Sequence, residues 1–198
     1  MAQHLLTTLR RIKNQSPDKN LWGHILYCLD AKQANNKTIF LSDINRFCGI
    51  RAALWALGSI ERKYEEAIRL YGCRIARGHM SDWDSAFPDD QRLHVALNVA
   101  ESFALKGGDV KDLKKCKDMA GEAMGISHLA GRMDANTAAT LVWYVLDPPD
   151  EVGKGNDGMF CRARMESWGY DSPWQKDPME FRRLCILEDD YQKTVRRL

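Results

Sequence analysis

The chain has 198 residues, of which 44% are hydrophobic and 28% charged. That is an ordinary globular composition, long enough to bury a core without disulfides or metal, and it excludes a disordered or low-complexity chain. Lysine plus arginine number 29 against 27 acidic residues, a net charge of +2, which argues against both an acidic nucleic-acid mimic and a strongly basic nucleic-acid binder.

Apolar spacing is helical almost everywhere, and no segment keeps a period of two. Leu5, Leu6, Leu9 and Ile12 form one helical stripe, and Leu21, Trp22, Ile25, Leu26 and Leu29 a second. The polar stretch 32–37 reads as a loop, with Asn35 and Asn36 favouring a turn. Ser42 is placed to cap a third helix whose inner face is Phe47, Ile50, Leu54 and Leu57. Gly58 and Ser59 break it before a fourth helix carrying Ile60, Tyr64, Ala67, Ile68, Tyr71 and Ile75, and Gly78 ends this hairpin-like pair.

Residues 79–90 are rich in aspartate and serine and read as a loop. Pro88 suits a first helical turn, with Asp89 and Asp90 against the positive end of the helix dipole. The next stripe is the cleanest in the chain: Leu93, Ala96, Leu97, Ala100, Phe103 and Ala104, stopped by Gly107 and Gly108. Asp109 then caps a helix with Leu113, Cys116, Met119, Ala120 and Ala123 inside and Gly125 as terminator. A seventh helix spans about 128–146. Its first half holds small residues (Ala130, Gly131, Ala135, Ala138, Ala139) that permit close helix approach, its end holds Leu141, Val142, Val145 and Leu146, and Asp147-Pro148-Pro149 closes it. Short helices are expected at about 159–167 and 178–192, the latter opened by Asp177-Pro178. The expectation is an all-α, irregular bundle of eight or nine helices forming one domain over 1–198, with 150–198 as a C-terminal helical extension.

Six cysteines at 28, 48, 73, 116, 161 and 185 include no CxxC pair, so no zinc ribbon or thioredoxin motif is indicated. Cys28, Cys116 and Cys185 fall on apolar helical positions, where free thiols act as small hydrophobes. Reduced cysteines, the lack of a long apolar stretch near Met1, and no run of roughly 18 apolar residues lead to the expectation of a cytoplasmic protein with no membrane span.

The run Phe87-Pro88-Asp89-Asp90-Gln91-Arg92, then Ala96, Leu97 and Ala100, then Lys106-Gly107-Gly108-Asp109-Val110, resembles the helical immunity-type domains of bacterial polymorphic toxin systems. The resemblance extends over about residues 42–146. It includes Trp55 within the Cys48–Leu57 stretch, and the later positions Ala120, Ala123, His128, Ala130, Ala135, Ala138 and Ala139. The chain departs from the pattern in its fewer late alanines and its tryptophan-rich C-terminal segment. The resemblance implies a helical protein that binds and blocks a protein partner, with Pro88, Asp89, Asp90 and Arg92 as a structural motif.

Candidate sites divide between binding and packing. Trp83 between Asp82 and Asp84, followed by Phe87, has the composition of an interface anchor in an acidic rim, or of an indole plugging the bundle. Trp168, Tyr170 and Trp174 are a second aromatic cluster, either a packed lid or a second partner-binding surface. His79 with Asp82, Asp84, Asp89 and Asp90 offers metal-ligand types but lacks HExxH, an EF-hand loop or di-iron spacing, so an acidic capping loop is the preferred reading and no metal or cofactor is expected. Asp89, Asp90 and Arg92 are expected to form a buried ion pair that holds this helix start to its neighbours.

Arg10, Arg11, Lys13, Arg182, Arg183, Arg196 and Arg197 could neutralise phosphates, but acidic residues interspersed among the terminal helices favour a solvated face. No nucleophile elbow or phosphate loop is present, and His24, His94 and His128 stand singly on helices. The expected function is that of a non-catalytic inhibitor of a protein partner, a toxin or a bacterial defence effector. Phage or mobile-element anti-defence is the alternative of the same kind; a nucleic-acid-binding module and a metal-dependent enzyme are alternatives of other kinds.

Overall fold

The computed structural model describes residues 5–14, 19–60 and 64–148. Helix accounts for 74% of them, in nine helices, with one sheet of two three-residue strands, so the fold is all-α. Backbone contacts divide it into two compact units that meet in sequence between Ala67 and Ile68. The helices expected at 159–167 and 178–192 lie outside the described residues.

The first unit holds β1 (Leu6–Thr8), α1 (Leu9–Asn14), α2 (Lys19–Cys28), β2 (Thr38–Phe40), α3 (Leu41–Cys48) and α4 (Ile50–Leu57). β1 pairs antiparallel with β2, Thr7 opposite Ile39. The expected helix through Leu5 and Leu6 is therefore a strand, and α1 begins only at Leu9. The reason is Thr7. Leu5, Thr7 and Leu9 all point inward, and the Thr7 hydroxyl shares a 2.5 Å hydrogen bond with Ser59 Oγ. A buried polar side chain supplies the period of two that an apolar count passes over.

Further on, α3 starts at Leu41 with Phe40 as its N-cap and no side-chain capping bond, so Ser42 does not cap it. Gly49, at φ +83°, separates α3 from α4, a left-handed conformation that glycine adopts without a Cβ penalty. The expected continuous stripe from Phe47 to Leu57 is thus two helices. The break turns Phe47 outward, 52% exposed, while Ala52 to Leu57 are all buried.

The second unit comprises α5 (Glu65–Gly78) from Ile68 onward, with α6 (Met80–Ala86), α7 (Arg92–Lys106), α8 (Val110–Leu129) and α9 (Met133–Val145). Its core is built where α8 packs along both α7 and α9, and α6 against α9. Leu93, Ala96, Leu97, Ala100 and Ala104 of α7 are buried as their spacing requires. So are Leu113, Cys116, Ala120 and Ala123 of α8, and Ala135, Ala138, Ala139, Leu141, Val142 and Val145 of α9. Gly107, at φ +73°, ends α7, and the Asp109 carboxylate accepts from the Lys111 N–H to start α8.

Two boundaries differ from expectation. α8 runs through Gly125 to Leu129, because its turn is made by Gly131 at φ +66°. Ala130 and Gly131 accordingly lie in that turn, and α9 starts at Met133. At the far end of α9 the Arg69 side chain, 1% exposed, donates to the carbonyls of Val145 and Asp147. It supplies donors to carbonyls that a helix end leaves without partners.

Candidate partner-binding surface

The segment 79–90, expected as a loop, is mostly helix: α6 covers Met80–Ala86. Trp83 on α6 is fully buried, its ring stacked at 4.5 Å on Phe87 and its Nε1 donating to the Asp90 carbonyl at 2.8 Å. An indole with its N–H satisfied inside the fold is not an exposed anchor; of the two readings, the plug is the one observed. Phe87 is half-buried beneath it.

The flanking aspartates are engaged locally. Asp84 Oδ1 lies 2.7 Å from His94 Nε2, and Asp82 Oδ2 lies 3.4 Å from His79 Nδ1. Asp90 accepts from the Arg92 backbone N–H and side-chain Nε, at 3.1 and 2.9 Å, and Arg92 reaches Glu122 Oε2 at 3.5 Å. An ion pair does form at this corner, between Asp90 and Arg92, but it is half-buried and not buried as expected. Pro88 and Asp89 are exposed and precede α7 rather than forming its first turn, since α7 begins at Arg92. No group of three His, Cys, Asp or Glu among the described residues is placed to hold a metal ion. Trp168, Tyr170 and Trp174 lie outside the described residues.

Exposed aromatic surface is found instead in the first unit. Phe40, at the end of β2, is 44% exposed and Phe47, on α3, 52%. Both line a groove of about 620 Å³ whose other walls include Leu9, Leu29, Asp30, Lys32, Lys37 and Asp43. The Arg46 guanidinium lies over the Phe47 ring, 5.2 Å from its centroid. A second groove of about 500 Å³, sharing Thr38 with the first, is lined by Arg10, Arg11, Asn14 and Asn36.

Residues 1–60 carry eight lysines and arginines against three aspartates, a local basic excess in a nearly neutral chain. Spacing puts Phe47 on an inner helical face, where it is not found, and says nothing of Phe40. Phe40 reaches the groove only because β2 pairs with β1, and Phe47 only because Gly49 breaks the helix. A local charge count over the first 60 residues is the one sequence signal that could have led here.

In the second unit, exposed apolar side chains gather at the α8–α9 turn, where Leu129 is 88% and Met133 61% exposed. Arg132 and Asp134, both exposed, flank Met133 there, and no groove accompanies it among the cavities described. No helix among the described residues is long and apolar enough to cross a membrane. No known protein family, characterised protein or solved structure matches the chain.

Proposed function

We propose that this is a non-catalytic binding protein that captures and blocks a protein partner, docking it on the groove between Phe40 and Phe47. The carrying observation is the exposure of two large aromatics beside Lys32, Lys37 and Arg46. Half-exposed aromatics in a concave site are hot-spot material, since each desolvates a large rigid area at small entropic cost. Lys32, Lys37 and Arg46 stand against Asp30 and Asp43 at the rim, and that small basic excess favours an acidic partner and a faster association. The partner surface that fits is acidic, with an apolar side chain to fill the groove.

The resemblance to immunity-type domains over 42–146 makes a bacterial toxin the leading partner class. A bacterial defence effector blocked by a phage-encoded protein is the second, with the same surface and the same physics. The basic excess of residues 1–60 also suits a nucleic acid, so the experiment has to separate the two chemistries.

The test is a photo-crosslinking amino acid at position 47 of the full chain, expressed in its native host. A discrete adduct of protein mass is expected, resistant to nuclease and lost when Lys32→Glu and Lys37→Glu are added. A nuclease-sensitive adduct would assign the groove to nucleic acid. No adduct at position 47, with a clear one from the same probe at Leu129, would move the interface to the α8–α9 turn.

A further inference from the structure

The groove-bearing segment is bracketed by two cysteines that the proposed binding role does not use. Cys28 ends α2 and Cys48 ends α3, and these two helices pack together. One imidazole, that of His24, lies against both the Cys28 sulfur and the Cys48 backbone carbonyl. His24, one helical turn before Cys28 and on the same face, completes the cluster. Its ring nitrogens lie 3.6 and 3.7 Å from the Cys28 sulfur, and its Nε2 lies 3.0 Å from the Cys48 carbonyl oxygen.

The two thiols differ in access. Cys28 is half-buried beside an exposed imidazole, whereas Cys48 is 7% exposed. Burial, with the neighbouring Cys28 thiol adding to it, pushes the Cys48 thiol up to about 12. Cys73 and Cys116, the other free cysteines among the described residues, are both buried, and neither has a cysteine or histidine among its recorded interactions. Packing alone accounts for a single buried thiol. It does not call for two cysteines gathered about one solvent-reached histidine.

We propose that Cys28 and Cys48 are a redox-active dithiol, with Cys28 the site modified by a low-molecular-weight disulfide such as glutathione disulfide and Cys48 the resolving thiol. The Cys28 thiol gives its proton to the adjacent His24 ring, and its thiolate attacks one sulfur of the oxidant. A Cys28–glutathione disulfide forms and one glutathione leaves as thiolate, taking up a proton. Cys48, deprotonated in turn, attacks the Cys28 sulfur; the Cys28–Cys48 bond forms and the second glutathione leaves. Two thiols are oxidised and one glutathione disulfide is reduced to two glutathiones.

The order of attack follows from chemistry, because the thiolate is the nucleophile and the buried, high-pKa Cys48 is the poorer one in an intermolecular step. Geometry is permissive, since His24 Nε2 touches the Cys28 sulfur at 3.6 Å and the Cys48 carbonyl oxygen at 3.0 Å, which holds the two residues within the short reach a disulfide needs. The bond would close the segment carrying Lys32, Lys37, Phe40 and Phe47, and so brace the groove from both ends.

The experiment treats the folded full chain with glutathione disulfide, blocks residual thiols, and maps the peptides by mass spectrometry without reduction. The expected product is a Cys28–Cys48 cross-linked peptide, with the protein lighter by two hydrogens and a higher thermal midpoint. In Cys48→Ser, glutathione should stay on Cys28, and in Cys28→Ser, Cys48 should remain unmodified. Wild-type protein with both thiols free, or with glutathione retained on Cys28 to the same extent as in Cys48→Ser, would overturn the proposal. The wild-type map decides even if a variant folds poorly. It is also independent of whether the groove binds a protein.

Discussion

Trp83 on α6 donates its indole N–H to the backbone carbonyl of Asp90, 2.8 Å away, across the turn that leads into α7. One side chain thereby spans the corner where Asp84 meets His94 and Asp90 meets Arg92. The Phe87-Pro88-Asp89-Asp90 stretch is held by that contact as much as by its own turn chemistry. Trp83→Ala should therefore destabilise the protein by about 3–5 kcal/mol, the cost of a large buried cavity. Trp83→Phe, which keeps most of the volume but strands the carbonyl, should cost about 1–3 kcal/mol. Urea unfolding of both variants checks this; a loss under about 1 kcal/mol for the alanine variant would mean the indole is not in the core.

At the end of α9, Arg69 and Lys117 meet Asp147 from different helices. Arg69 donates to the Asp147 carbonyl at 2.8 Å and its guanidinium lies over the Phe103 ring, 5.4 Å from the centroid. Lys117 pairs with the Asp147 carboxylate, whose side chain is 2% exposed, and lies 4.2 Å from the Trp143 centroid. Arg69→Met leaves two carbonyls short of donors and should cost on the order of 2–4 kcal/mol. Lys117→Met removes one charged partner of the buried Asp147 carboxylate and should cost on the order of 1–3 kcal/mol. If thermal and denaturant midpoints of both match wild type, this network does not hold the exit from α9.

Groove aromatics should behave in the opposite way. Phe47→Ser removes an exposed ring and its contact with Arg46, so folding stability should change by less than about 1 kcal/mol. Partner affinity should fall by about 2 kcal/mol or more if the ring is the anchor proposed. Isothermal titration and thermal melting of one preparation read both numbers. Large destabilisation would show that Phe47 packs inward.

Thiol titration gives a pH dependence with a definite sign. Burial pushes the thiols of Cys48 and Cys73 up from the ordinary value of 9.0, Cys48 to about 12 and Cys73 further still. In the unfolded chain these thiols ionise near 9, while the native state keeps them protonated. The unfolded state therefore loses protons first, and the native state loses stability as pH rises above about 9. Below that value the contribution is fully present and flat. Unfolding free energies measured at intervals from neutral pH to above 10 should fall more steeply for wild type than for Cys73→Ala. Parallel curves would show that Cys73 is not buried as a thiol.

A share of this architecture was legible in the residues themselves. The stripes Leu93, Ala96, Leu97, Ala100 and Ala138, Ala139, Leu141, Val142 repeat at the helical period with little ambiguity. Gly107, Asp109 and Pro148 mark ends by backbone chemistry that acts within one turn. Such features depend on near neighbours, so the sequence alone determines them, and with them the all-α class.

Tertiary structure decided where direction depends on a distant partner. Thr7 turns inward because Ser59, 52 positions away, completes its hydroxyl, and with that β1 becomes a strand rather than a helical turn. Trp83 goes to the core because Asp90 can accept its N–H, although the acidic residues beside it read as surface. Phe47 goes outward because Gly49 breaks the helix that an unbroken stripe would have continued. In each case a polar atom's partner or a single backbone angle outweighs local hydrophobicity, since leaving a buried polar group unsatisfied costs as much as burying the side chain gains. The groove between Phe40 and Phe47 follows from those choices, and only the folded chain brings its walls together.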